Sequence, residues 1–206
     1  MPRSSPISRF RIWLYRQLLV GEHAGILLAD ANRNPHDNRL FVEKTRPALD
    51  LIAQVDPRRF NRVRSHLACI VNIELAMGGE YAAGGICHVD FGRLDFTRHP
   101  EWYLCMYAAL LVHEATHGFL RDRGVRRTRR NIMEHERLCR AEENRFLARI
   151  VSPWGAQLRK PFHPESWDIG SGCNRIRLIR KRRQEEESKA RAAANFPPPP
   201  ATILHS

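Results

Sequence analysis

Pro100-Glu-Trp-Tyr-Leu-Cys-Met-Tyr-Ala-Ala-Leu-Leu-Val-His-Glu-Ala-Thr-His-Gly-Phe-Leu-Arg-Asp-Arg123 reads as one long, largely apolar helix that ends at Gly124. Within it stands His113-Glu114-Ala115-Thr116-His117, two histidines four residues apart with a glutamate after the first. Helical residues at this spacing share one face and lie roughly 6 Å apart. Both imidazoles can therefore reach a single Zn²⁺ at about 2.0–2.1 Å. Glu114 is turned away by about 100° of helical rotation, beside such a metal and not on it. From there its carboxylate can take a proton from an attacking water and later deliver it to a leaving amine. The flanks Leu110, Leu111, Val112, Ala115, Thr116, Gly118 and Phe119 are all uncharged. Three polar side chains on an apolar stripe need partners, because each one left unpaired costs roughly 1–3 kcal/mol.

The motif and its flanks resemble the zinc metallopeptidases of the zincin class. In the gluzincin branch, which includes thermolysin and related aminopeptidases, a glutamate on the next helix is the third ligand. The metzincin pattern asks for a third histidine shortly after the motif, and residues 118–128 contain none. Eighteen residues separate His117 from Glu136, an insert similar to that of gluzincins, and Cys139 supplies the small residue the pattern wants three positions later. The resemblance thus implies a peptidase with peptide or protein substrates, Zn²⁺ as cofactor, His113, His117 and Glu136 as ligands, and Glu114 as general base. Arg140 departs from the pattern, since thermolysin-like enzymes carry there an aspartate that orients a ligand histidine. The similarity covers roughly residues 100–150.

Residue spacing bears on the third ligand independently. Ile132, Glu136, Cys139, Glu143, Phe146 and Ile150 recur at alternating four- and three-residue steps, so Glu136 and Glu143 share a buried stripe. The second helix is expected to begin near Thr128 or Asn131, the latter in a capping pattern with Glu134, and to run to about Val151. In such a hairpin the level of the histidines falls near residues 136–140. That level favours Glu136 as the ligand; Glu143, about one turn beyond, is either the alternative third ligand or an acceptor for a histidine N–H or an arginine.

Before the metal helix, residues 8–29 read as an amphipathic helix and residues 30–38 as a turn-rich loop. Pro47–Val55 has helical spacing, and Asp56-Pro57 is a good helix start. Leu67–Leu75 reads as a buried strand, and Ile86–Phe96 alternates with period two as a half-exposed strand. In the zincin comparison such a strand would be an edge that pairs with extended substrate, with His88 and Asp90 as candidates to face the cleft. Their plainer reading is the polar side of a half-exposed strand. Tyr103, Tyr107 and His135 are candidates to stabilise an oxyanion, although core packing accounts for both tyrosines and His135 is rotated away from Glu136. The expected architecture is α+β and zincin-like, a small β-sheet packed on a metal-bearing helix pair. It divides into an N-terminal helix and loop over 1–40, a metallopeptidase domain over 41–173, and a basic, Pro-rich tail over 174–206.

Charge and cysteines set the context. The chain has 206 residues, 43% hydrophobic, and a net charge of +12. That composition excludes a wholly disordered chain. Residues 121–130, RDRGVRRTRR, carry +5 and residues 174–206 another +5, which leaves a core near neutrality. These two segments could recruit an acidic partner or nucleic acid. The four tryptophans, Trp13, Trp102, Trp154 and Trp167, are scattered and form no platform for stacking bases. Five widely spaced cysteines without a C-x-x-C favour a reducing, cytoplasmic setting. Arg16 and Glu22 interrupt the N-terminal apolar run, so no membrane insertion is expected. The competing reading is a non-catalytic basic module that binds nucleic acid or an acidic protein and holds zinc structurally.

Overall fold

Leu19–His23 (β1) and Ile26–Asp30 (β2) form a hairpin where a continuation of the first helix was expected. A computed structural model describes residues 6–32, 35–75, 78–128 and 130–163. The first helix, α1, covers Pro6–Arg16 only. Ala24 and Gly25 then turn the chain with φ of +52° and +79°, the pair of positive angles that a two-residue hairpin turn demands. The division expected at residue 40 falls inside α2, which spans Pro35–Val55. Asp56 caps α3 (Pro57–His66), its Oδ1 accepting from the Arg59 N–H at 3.1 Å.

Cys69–Asn72 (β3), Gly79–Ala82 (β4) and Ile86–Val89 (β5) complete a five-stranded mixed sheet in the order β1-β2-β3-β5-β4. The inner strands β2, β3 and β5 are parallel, and β1 and β4 are antiparallel edges. The class is therefore α+β, with six α-helices among the described residues. Side chains alternate across the sheet. Ile26, Leu28, Ile70, Cys87 and Val89 enter the main core with Phe41, Leu49, Ile52, Val63, Tyr107 and Leu111. Ala29, Cys69, Val71 and Ile86 face the other way, under Ile12 and Tyr15 of α1.

Strand β5 is not half-exposed and is not an edge. It is buried along its length between β3 and β4, and the edge beside the helix that carries His113 and His117 is β4. His88 and Asp90 are buried too. His88 Nε2 meets the Tyr15 hydroxyl at 2.9 Å, while Asp90 accepts from the Leu75 N–H and pairs with Arg93. Both polar side chains thus serve the sheet and not a cleft.

The long helix α4 spans Pro100–Asp122, and Gly124 leaves it at φ +82°. It packs against α2, α3, α5, α6, β4 and β5. Helix α5 spans Ile132–Leu147, one turn shorter at its end than expected, and α6 follows at Pro153–Leu158. Asn131 precedes α5 without capping it by side chain. Its Oδ1 instead accepts from the Thr128 N–H and hydroxyl, and its Nδ2 donates to the Arg126 carbonyl, so it braces the turn. Cys69, Cys87, Cys105 and Cys139 are free and buried. No helix among the described residues is long and apolar enough to cross a membrane. The tail at 174–206, with Cys173 before it, lies outside the described residues.

Candidate metal centre

Helix α4 brings His113 and His117 to one face, their ring centroids 5.0 Å apart, and α5 lies against that face. Contacts between the two helices run in opposite senses, His113 meeting Glu136 and Glu143 while His117 meets Cys139 and His135. Glu136 Oε2 lies 3.3 Å from His113 Nε2 and 3.6 Å from His117 Nε2. Two ligands held at zinc distance and tetrahedral angle stand about 3.3–3.4 Å apart, so each histidine–Glu136 pair has close to the spacing of two ligands on one ion. The other oxygen of Glu136 is occupied by Arg127 Nη2 at 3.0 Å.

The far sides of both imidazoles are also held. His113 Nδ1 lies 3.0 Å from Glu143 Oε2, and Arg140 grips the second oxygen of Glu143 at 2.5 Å. A carboxylate only accepts, so His113 donates from Nδ1 to Glu143 and from Nε2 to Glu136, with both ring nitrogens protonated. On the other side, His135 Nε2 lies 3.3 Å from the Val125 carbonyl, which likewise only accepts. His135 Nδ1 faces His117 Nδ1 at 3.1 Å, and the two ring planes lie within 10° of each other. With a neutral His135 donating to Val125, its Nδ1 accepts from His117, whose Nε2 lone pair then turns toward Glu136. Each histidine is aimed by the hydrogen bond on its far nitrogen.

Charge completes the picture. Burial disfavours an imidazolium at His113, but Glu136, Glu143 and Glu114 outweigh it and push its pKa up to about 10. A metal taking its place displaces that proton. Burial, then the charge of His113, drives His117 down to about 3, and burial lowers His135 as well. Glu136 sits below the usual carboxylate range, because His113, His117 and Arg127 outweigh its burial.

Glu114 is buried and points away from α5. The backbone N–H of Tyr81 on β4 donates to its carboxylate, yet among the described residues Oε2 has no hydrogen-bond partner, and it lies 4.0 Å from His117 Nε2. Burial, with Glu136 adding to it, lifts its pKa to about 7. Gly79 makes this placement possible, since a Cβ there would stand 2.9 Å from Leu110 Cδ1 and 3.0 Å from Glu114 Oε1. The x positions of the motif are satisfied within the fold. Ala115 joins the core, and the Thr116 hydroxyl donates to the Val112 carbonyl at 2.8 Å.

The five residues singled out in the sequence, His113, Glu114, His117, Glu136 and Glu143, are thus brought together. His135 joins them although helical rotation had set it aside; at 2% exposure it is as buried as Glu136. Its signal was Cys139, one turn later on the buried stripe. Arg127 was read only as part of the basic turn 121–130, and it reaches Glu136. Tyr107 and Tyr103 stay apart from this group. The Tyr107 hydroxyl bonds Thr45 Oγ1 at 2.9 Å, and Tyr103 packs on Phe96 and Trp102. Among the described residues two triads of buried donors lie close enough to share an ion, His113 with His117 and Cys139, and His117 with His135 and Glu136. Cys139 Sγ is 3.4 Å from His117 Nδ1, the nitrogen turned away from Glu136, and burial pushes its thiol pKa up. No protein-family model, curated protein or solved structure matches this chain.

Proposed function

We propose that the protein is a zinc-dependent peptidase of zincin-like architecture. His113, His117 and Glu136 would hold the metal through Nε2, Nε2 and Oε2. The observation that carries this reading is the buried Oε2 of Glu114, without a hydrogen-bond partner among the described residues and 4.0 Å from His117 Nε2. A buried acceptor without a partner is costly, and a water beside the metal would satisfy it. When bound, Zn²⁺ supplies Lewis acidity that polarises a peptide carbonyl and makes water nucleophilic near neutral pH.

The chain's own residues account for the rest of the reaction. Glu114 Oε2 takes a proton from the attacking water and hands it to the departing amine nitrogen, and its pKa near 7 suits both transfers. Glu143, braced by Arg140, and His135, braced by the Val125 carbonyl, keep the two imidazoles aimed. Arg127 occupies the outer oxygen of Glu136, leaving one oxygen for the metal. The four buried free thiols fit a reducing compartment such as the cytoplasm.

A second reading is a structural zinc in a basic, non-catalytic module that takes nucleic acid or an acidic protein through residues 121–130 and the tail. Cys139 beside His117 favours it, because a thiolate would help close the coordination sphere. Hydrolysis of a mixed peptide library by the zinc-loaded protein and by Glu114→Gln separates the two. The peptidase reading expects cleavage that the variant loses while keeping its zinc. A wild type as inert as the variant would sink it.

A further inference from the structure

Six large apolar side chains are exposed among the described residues, and four of them, Phe10, Trp13, Leu14 and Leu19, fall within ten positions. Three belong to α1, where Phe10 is 61% exposed, Trp13 55% and Leu14 47%. At roughly 100° per residue these three span an arc of about 100° on the helix surface. Ile12 and Tyr15 occupy the opposite side and pack on the sheet cluster of Ala29, Cys69, Val71 and Ile86. The helix therefore has two apolar stripes, one turned to the fold and the other to solvent. Arg11 and Arg16, both exposed, lie on the two borders between them. Residues 6–16 contain three arginines and no acid. Phe10 and Trp13 rest against each other, ring centroids 5.8 Å apart, so the stripe is continuous.

We propose that α1 docks the protein on an anionic membrane surface, lying in the interfacial plane with Phe10, Trp13 and Leu14 directed into the bilayer. Aromatic and leucine side chains on one stripe with guanidiniums along its borders are what an interfacial helix requires. The indole ring settles at the headgroup level, and the arginines reach the lipid phosphates from the borders. The charge of the helix excludes a second copy of itself as the natural partner, because two such helices repel. The stripe is also convex, so a rigid partner would need a matching groove, whereas a fluid bilayer moulds to it.

The test is co-sedimentation of the full chain with extruded vesicles of phosphatidylcholine alone or mixed equally with phosphatidylglycerol. The protein is expected to pellet with the anionic vesicles, to release as salt is added, and to stay in solution with the neutral ones. Phe10→Ser/Trp13→Ser should abolish pelleting while far-UV circular dichroism stays unchanged, since Ile12 and Tyr15 still seat the helix. Arg11→Gln and Arg16→Gln should each weaken partition about fivefold. Failure to pellet with anionic vesicles at low salt overturns the proposal. Equal pelleting of Phe10→Ser/Trp13→Ser also overturns it, by assigning the binding to the other basic segments. Self-association that this double variant abolishes overturns it as well, and gives the stripe to a second copy of the chain.

Discussion

Helix α5 borders two buried clusters of charge, and they are built on opposite plans. In one, between α3 and α5, Asp56 meets Arg59 and Arg149, and Glu142 meets Arg59, Arg62 and Arg145. Its two carboxylates are saturated by four guanidiniums, with Arg59 Nε the exception left without a hydrogen bond. In the other, between α4 and α5, Glu136 and Glu143 face imidazoles, and the nearby Glu114 keeps one oxygen unmatched. The first cluster leaves no carboxylate oxygen unmatched and fastens α3 to α5. The second, on the proposed reading, takes a cation the chain does not itself supply. The His117 lone pair and the carboxylate oxygens of Glu136 and Glu114 converge there beside a protonated His113, and under that reading a cation replaces that proton and a water meets Glu114.

The sharpest way to break the comparison is a pair of isosteric amides. Glu114→Gln should lower hydrolysis by about 10²–10⁴-fold while zinc remains bound. Glu142→Gln should leave zinc content and turnover per folded molecule unchanged, but lower stability by about 3 kcal/mol in a urea titration, since it abandons Arg59 and Arg62. If both variants merely lose stability, the two clusters are the same kind of object.

The same Glu114→Gln change should stabilise the metal-free protein. The folded pKa of Glu114, about 7, is raised above the ordinary carboxylate value of 4.5. The fold therefore favours the neutral acid, an advantage fully present below pH 4.5 and lost as pH rises through about 7. At pH 8 the variant should exceed wild type by about 3 kcal/mol, the free-energy equivalent of that shift, and the difference should vanish near pH 4. A constant difference across that range would contradict the burial argument. Next in size, Glu143→Gln and His135→Phe should each weaken zinc binding by about 10–100-fold in a competition titration with a chelating dye, whereas Arg62→Gln should not. The smallest expected effect is at Gly79→Ala, about 1 kcal/mol in thermal denaturation, because Leu110 and Glu114 can yield at their tips.

The part of the site that one helix carries was legible, because i, i+4 histidines on an otherwise apolar stripe need only the helical period to be placed. Glu136 and Glu143 were legible for the same reason, seven residues apart on the facing stripe. His135 was not, because one helix in isolation turns it away from Glu136, while near the α4–α5 turn both positions fall against α4. Strand β5 shows a related limit. Its alternation reported two faces of a sheet correctly, but a local pattern does not reveal that Tyr15, far earlier in the chain, covers the polar face at His88. The β1–β2 hairpin was missed because a short apolar run suits helix and strand equally. Gly21 and Gly25 were the breakers to heed there.

Zinc K-edge X-ray absorption on the metal-loaded protein tests the central claim most directly. The account predicts only nitrogen and oxygen scatterers at about 2.0–2.1 Å, with one of them lost in Glu136→Ala and none in Cys139→Ala. A sulfur scatterer at about 2.3 Å that disappears in Cys139→Ala would contradict it and make the metal a structural clasp.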